Sequence, residues 1–140
     1  TLYGPHGEFG HKSLQSKKPE IWIAGGIGIT PFLSMLRHYA SQNDNKEISL
    51  IYSAKSPNEF VYQNEIDSLV KNMGSAKITY YNSETNGQIN GEKIKNIIGN
   101  FHDKKIFMCG PKPMMDSLAN AFVAQKIHPR NIIFEDFSFK

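Results

Sequence analysis

The chain has 140 residues, of which 39% are hydrophobic and 21% charged, and 16 basic against 13 acidic side chains leave a net charge of +3. Those figures fit one globular, soluble domain with a single core and exclude a disordered chain. No apolar run nears the roughly 20 residues that cross a bilayer, no long basic tract marks nucleic acid as a partner, and a lone Cys109 excludes an internal disulfide or thiolate cluster.

In chain order, residues 1–18 are rich in Gly, His and Lys and have no apolar period. They read as a connector arriving from an upstream domain, and the start at Thr1, with no secretory signal, reads as a processed chain or a fragment. A first apolar run, Ile21 to Ala24, enters a glycine turn, and Phe32, Met35, Leu36, Tyr39 and Ala40 then mark one face of a helix. A second run, Ile48 to Tyr52, precedes a helical stripe of Tyr62, Ile66, Leu69 and Val70. A third run spans Ile78 to Tyr81. The polar segment from Asn82 to Gly91 reads as a surface loop, and Ile94, Ile97, Ile98 and Phe101 mark the next helix. A fourth run, Ile106 to Cys109, turns at Gly110-Pro111 into a helix carrying Met115, Leu118, Ala119 and Phe122, and a fifth spans Ile132 to Phe134. Short strands alternating with helices predict a doubly wound α/β domain: a five-stranded parallel sheet of order 3-2-1-4-5 with helices on both faces.

Two turns carry the chemistry. In Ala24-Gly25-Gly26-Ile27-Gly28-Ile29-Thr30-Pro31, Thr30 suits an N-cap and Pro31 a first helical position. Glycines let the backbone approach a ligand, and the following helix start favours an anion such as a phosphate or pyrophosphate. The spacing is neither G-x-G-x-x-G, since Pro31 stands at the last glycine, nor a P-loop. The same glycines also fit a turn that needs them only for geometry. The run Met108-Cys109-Gly110-Pro111 repeats the strand–turn–helix design, so both turns would face one crevice with Cys109 at its lip. Read from the residues alone, Cys109 is more often a small buried hydrophobe, and no paired His and Asp stand near it to argue for a nucleophile. His6, His11, His38, His102 and His128 have no metal-ligand spacing. Lys17-Lys18 reads as solvated linker and Met114-Met115 as packing.

In their order, Gly4-Pro5-His6-Gly7-Glu8-Phe9, the block Ile23 to Phe32, Tyr52-Ser53, Met108-Cys109-Gly110-Pro111 and Phe134-Glu135-Asp136-Phe137 resemble the nucleotide-binding half of the ferredoxin–NADP reductase superfamily. Glu20 to Phe32, with Trp22, is most similar to bacterial predicted ferric reductases and related NADPH-oxidase-like proteins. The resemblance implies an NAD(P)-binding domain over 19–140, joined through 1–18 to an FAD-binding barrel that lies outside the chain together with its Arg-x-Tyr-Ser motif. It implies hydride transfer from nicotinamide C4 to flavin N5 and electron passage to iron, haem or another acceptor. Ferric-reductase-like members also carry a haem-bearing membrane region upstream, so the expected setting is a cytoplasmic domain, in that case of a membrane-associated protein.

By position, the resemblance assigns Gly25, Gly26, Gly28, Ile29 and Thr30 to the pyrophosphate loop and Ser53 to the cofactor site. Cys109 falls beside nicotinamide C4, and Gly110 and Pro111 form the turn that admits the dinucleotide. Phe137 is the C-terminal aromatic over the flavin, with Phe139 the alternative. NADPH users of the family commonly place Ser-Arg after strand three; here the residues are Asn82-Ser83-Glu84, and the Glu84 carboxylate suits a free ribose hydroxyl. That favours NADH, with Lys55 the alternative cation for a phosphate. The competing readings are a non-catalytic nucleotide-binding regulatory domain, which would not need Cys-Gly-Pro or the terminal aromatic, and a flavodoxin-like carrier, which would need a Ser/Thr-rich loop after strand one.

Overall fold

A computed structural model describes residues 12–13, 16–99 and 103–136. The Gly4 to Phe9 motif, His6, His11, Phe101, His102, Phe137 and Phe139 lie outside the described residues. Strands β1 (Glu20–Gly25), β2 (Ile48–Ala54), β3 (Ala76–Asn82), β4 (Lys105–Gly110) and β5 (Ile132–Asp136) form one sheet of order β3-β2-β1-β4-β5. All four pairings are parallel, as expected. The strands outrun their apolar cores because ladder pairing continues through polar ends, Glu20 opposite Ile48 and Lys105 for example.

Helices α1 (Ile29–Ser41), α2 (Gln63–Met73), α3 (Ser83–Asn86), α4 (Gly91–Ile98) and α5 (Lys112–Ala124) connect the strands. Alternation along β1 sends Trp22 and Ala24 to one face, where they pack with Phe32, Leu36 and Ile66 of α1 and α2. Ile21 and Ile23 go to the other, with Ile94 of α4 and Leu118 and Phe122 of α5. Burial on both faces explains why the strands read as continuous apolar runs. The segment from Asn82 to Gly91 is not the expected open loop. Asn82 Oδ1 accepts the Glu84 and Thr85 N–H groups and caps α3, Ile89 is buried in the second core, and Asn90 caps α4. Among the described residues no helix is long and apolar enough to cross a membrane.

The amino-terminal foot of the sheet holds a buried polar network. Glu20 Oε1 accepts from Ser13 Oγ at 2.7 Å and Trp22 Nε1 at 2.8 Å, and Ser13 Oγ lies 2.5 Å from the Tyr39 hydroxyl. Lys46 Nζ stands 3.1 Å from Glu20 Oε2 as an ion pair outside hydrogen-bonding geometry, because the ammonium donates to the carbonyls of Ser13 at 2.9 Å and Ser16 at 2.6 Å. The described part of the expected connector is therefore tied to the domain. Loss of solvation raises the Glu20 carboxyl above its ordinary 4.5, against the opposing pull of Ser13, Trp22 and Lys46.

A group whose pKa is raised on folding binds its proton more readily in the native state. Its contribution to stability therefore grows as the pH falls through the raised value toward 4.5 and weakens as the pH rises. Lys46→Met leaves the buried carboxylate without a counter-charge. It is expected to cost about 3–5 kcal/mol at neutral pH and to recover part of that loss on acidification toward pH ~5. Urea denaturation across that range tests this; a loss under about 1 kcal/mol would mean the pair is solvated, as surface pairs are.

Candidate functional site

The carboxyl ends of β1, β2, β3 and β4 open onto one cleft of about 590 Å³, where a doubly wound sheet places its ligands. Of the residues expected at a site, Gly25, Gly26, Ser53, Lys55, Glu84 and Pro111 line it. Ala54, Glu59, Ser83, Gln88, Ile89, Pro113 and Met114 line it as well. Gly28, Ile29, Thr30, Cys109 and Gly110 are not lining residues.

The glycine turn divides its work. Gly26 has φ of +57°, and a Cβ built there meets nothing within 4 Å, so the residue gives a left-handed corner and an open approach at the mouth of the cleft. Gly28 is instead a contact: its Cβ would stand 2.1 Å from the Cys109 carbonyl oxygen. Deeper in, a Cβ on Gly110 would fall 3.2 Å from Gly25 Cα, and Met114 Sδ would lie 2.8 Å from a Cβ on Gly25. The two small-residue turns thus meet backbone to backbone, with the Met114 thioether across them.

Three expected details are corrected. The helix after the glycine turn starts at Ile29 with Gly28 as N-cap, because a 3-10 turn over Gly26–Gly28 runs straight into it and leaves no break for a side-chain cap. Pro31 is therefore its third residue, and the Thr30 hydroxyl donates to the Ile27 carbonyl at 3.2 Å instead of capping. The Ile29 side chain is buried in the core, and its N–H donates to the Gly26 carbonyl. Cys109, expected at the lip, is fully buried: alternation along β4 puts it on the face of Phe107, packed with Ile29 and Ala24.

Among the described residues, the charge lining the cleft lies on the β2–β3 side: Lys55 and Glu59 after β2, Glu84 after β3. The Glu59 backbone is fixed, its carbonyl accepting from Tyr52 Oη at 3.1 Å and its N–H donating to the Ser56 carbonyl at 3.0 Å. Burial raises the Tyr52 phenol above its ordinary value, so it stays a donor. The β3 wall is braced by Tyr81 Oη, which donates to the carbonyls of Asn86 at 3.0 Å and Gly87 at 2.8 Å, and by Lys93 Nζ bonded to the Asn86 carbonyl. The residue patterns had passed over Glu59 and read Met114 as packing alone. A signal for Met114 existed: the repeated strand–turn–helix design points the first turn of the second helix at the crevice. Glu59 had none, because its place depends on a short 3-10 turn, Pro57–Glu59.

Gly28→Ala is expected to destabilise the fold by about 3 kcal/mol, since backbone cannot yield to the new methyl. Gly26→Ala costs only about 1–2 kcal/mol, the left-handed penalty, and leaves the fold intact. Equal losses in urea denaturation would contradict this division.

Residues 22–120 match the family described as Oxidoreductase NAD-binding domain. Flavohemoprotein A of Dictyostelium discoideum is 30% identical over 97% of this chain and 34% of its own length. The 2-halobenzoate 1,2-dioxygenase electron transfer component of Burkholderia cepacia is 31% identical over 99% of this chain and 42% of its own length. The chain thus spans between a third and a half of these curated relatives. The flavohemoglobin of Malassezia yamatoensis, solved with bound FAD and heme, shares the fold with a TM-score of 0.83 at 24% identity, over 94% of this chain and 35% of that one. A match running from the first strand into the helix after the Cys-Gly-Pro turn, over well more than half of the chain, shows that the chain belongs to the oxidoreductase NAD-binding domain family.

Proposed function

We propose that this domain binds NADH in the cleft and presents its nicotinamide to an FAD held by a neighbouring domain of the same protein. The observation that carries the reading is Gly26: left-handed, with open space where a side chain would be, at the mouth of a cleft across four strand ends. The residues present fit a dinucleotide. A pyrophosphate suits the glycine turn at the start of a 13-residue helix, and a ribose diol suits the carboxylates of the β2–β3 side. No described residue is assigned to the flavin; Phe137 is proposed for that contact from its position alone.

The nucleotide supplies a hydride, which the flavin accepts. The chain's own residues bind, orient and exclude water. Gly26 admits the backbone-bound phosphates, Gly110 and Pro111 form the far side of the turn, and Met114 closes over both glycine strand ends. Cys109 is a positioning residue here: its carbonyl seats Gly28, and its side chain packs under the turn. The printed names of relatives, flavohemoproteins and an electron transfer component, support a flavin-linked role. The finer proposal is a ferric-reductase-like protein passing electrons to iron or haem, this domain lying on the cytoplasmic side of any membrane-bound partner. It rests on the block from Glu20 to Phe32 with its Trp22.

The purified chain is expected to bind NADH in calorimetry, to show no flavin absorption and to give no NADH-dependent ferricyanide reduction alone. Gly26→Ala should weaken NADH by roughly tenfold or more, about 1.4 kcal/mol, while its denaturation stays cooperative. Unchanged affinity in that variant would remove the glycine turn from the site.

A further inference from the structure

We infer that Glu59 is a second specificity-determining residue of this cleft, acting with Glu84 to select an unphosphorylated adenosine ribose and to reject a 2′-phosphate. The inference rests on the reading of the cleft as a dinucleotide site. The cleft is polarised. Its β1–β4 side offers Gly25, Gly26 and apolar Pro111 and Met114, whereas the three charged side chains that line it among the described residues stand on the β2–β3 side. A ligand with one anionic and one hydroxyl-bearing part is sorted by such a surface: pyrophosphate to the neutral backbone turn, ribose to the carboxylates.

The charges are also uncommitted. Two exposed ion pairs form elsewhere among the described residues, Arg37 with Glu65 at 2.6 Å and Lys112 with Asp116 at 3.0 Å. Among the described residues, Lys55, Glu59 and Glu84 form no such pair, although all three line one cleft. Both carboxylates stand on backbone that is tied down. The Tyr52 hydroxyl grips the Glu59 carbonyl at 3.1 Å, and Asn82 Oδ1 grips the Glu84 N–H at 3.0 Å. A carboxylate accepts hydrogen bonds from vicinal hydroxyls. A phosphate monoester there carries about −1.5 to −2 charge at pH 7, set against two carboxylates and, among the described lining residues, the one cation Lys55. Rejection thus comes from charge repulsion, and it needs both carboxylates to outweigh Lys55.

The test is calorimetry on the 140-residue chain with NADH and NADPH, and with 5′-AMP and 2′,5′-ADP, which differ only in the 2′-phosphate. Wild type should bind NADH at least roughly tenfold more tightly than NADPH, and the gap should shrink as salt is raised. Glu59→Gln and Glu84→Gln should each narrow it by roughly three- to tenfold, the scale of one charge near a surface. The double variant should narrow it further and Lys55→Gln should widen it. If Glu84→Gln narrows the gap and Glu59→Gln leaves it unchanged for both ligand pairs, the inference falls while the nucleotide reading stands. A wild-type preference for NADPH also overturns it. If no ligand binds wild type, the nucleotide reading itself fails. Glu59 is exposed in a surface turn, so a cooperative melt of Glu59→Gln at the wild-type temperature confirms that affinity alone is being read.

Discussion

The domain depends on two chain turns meeting with no side chain between them. The ends of β1 and β4 are adjacent in the sheet, and the chain leaves each in a turn toward a helix. Any methyl at Gly28 or Gly110 would intrude on backbone of the other turn. This contact lets β1 and β4 pair up to Ala24 and Cys109 and still release their helices, α1 to one face and α5 to the other. The crevice of a doubly wound sheet opens where successive connections leave on opposite faces. Here the same crowding that permits the divergence leaves Gly26 as the corner with open space before it.

Stability and binding are assigned to opposite ends of the strands. At the foot, Glu20 and Lys46 are almost wholly removed from water, and each is surrounded by polar groups: Ser13, Trp22 and two carbonyls. A buried ion pair tolerates its desolvation only with such support. At the cleft the carboxylates and the ammonium are exposed, and what is held firm is the backbone beneath them. Charges kept in water cost little to leave unpaired and remain available to a ligand. Charges in the interior are satisfied within the chain, so the foot can anchor residues 13 and 16 without competing for solvent.

Most of the fold was legible in the residues because it rests on local periodicity. Runs such as Ile21 to Ala24 and stripes such as Met115, Leu118 and Phe122 need no knowledge of distant partners, and the alternation of strands and helices limits the topology. The site was legible only where its logic is that of the backbone. Gly25, Gly26 and Pro111 line the cleft because the turn type puts them there, as do Ser53 near the end of β2 and Lys55 and Glu84, which follow strand ends. Reading failed where a single residue of phase decides the outcome. Cys109, one residue before the end of β4, was expected at the lip of the crevice. Its pleat instead turns the thiol inward to the cluster of Phe107 and Ile29, in line with the bare reading of a small buried hydrophobe. Thr30-Pro31 carries a helix-start signal that the preceding 3-10 turn overrides.

The buried thiol also bears on how, under the proposed function, this domain would orient a ligand through its main chain. A side chain in the crevice would be free to change rotamer; a carbonyl in a strand is not. By turning its thiol into the core, Cys109 leaves only its backbone against Gly28, and Gly28 in turn fixes where Gly26 opens. Position is thereby passed from the most rigid part of the molecule, the central sheet, to the mouth of the cleft through main-chain contacts. That arrangement suits the proposed role, in which a neighbouring domain carries the redox chemistry and this one contributes precision of placement through main chain packed in a parallel sheet.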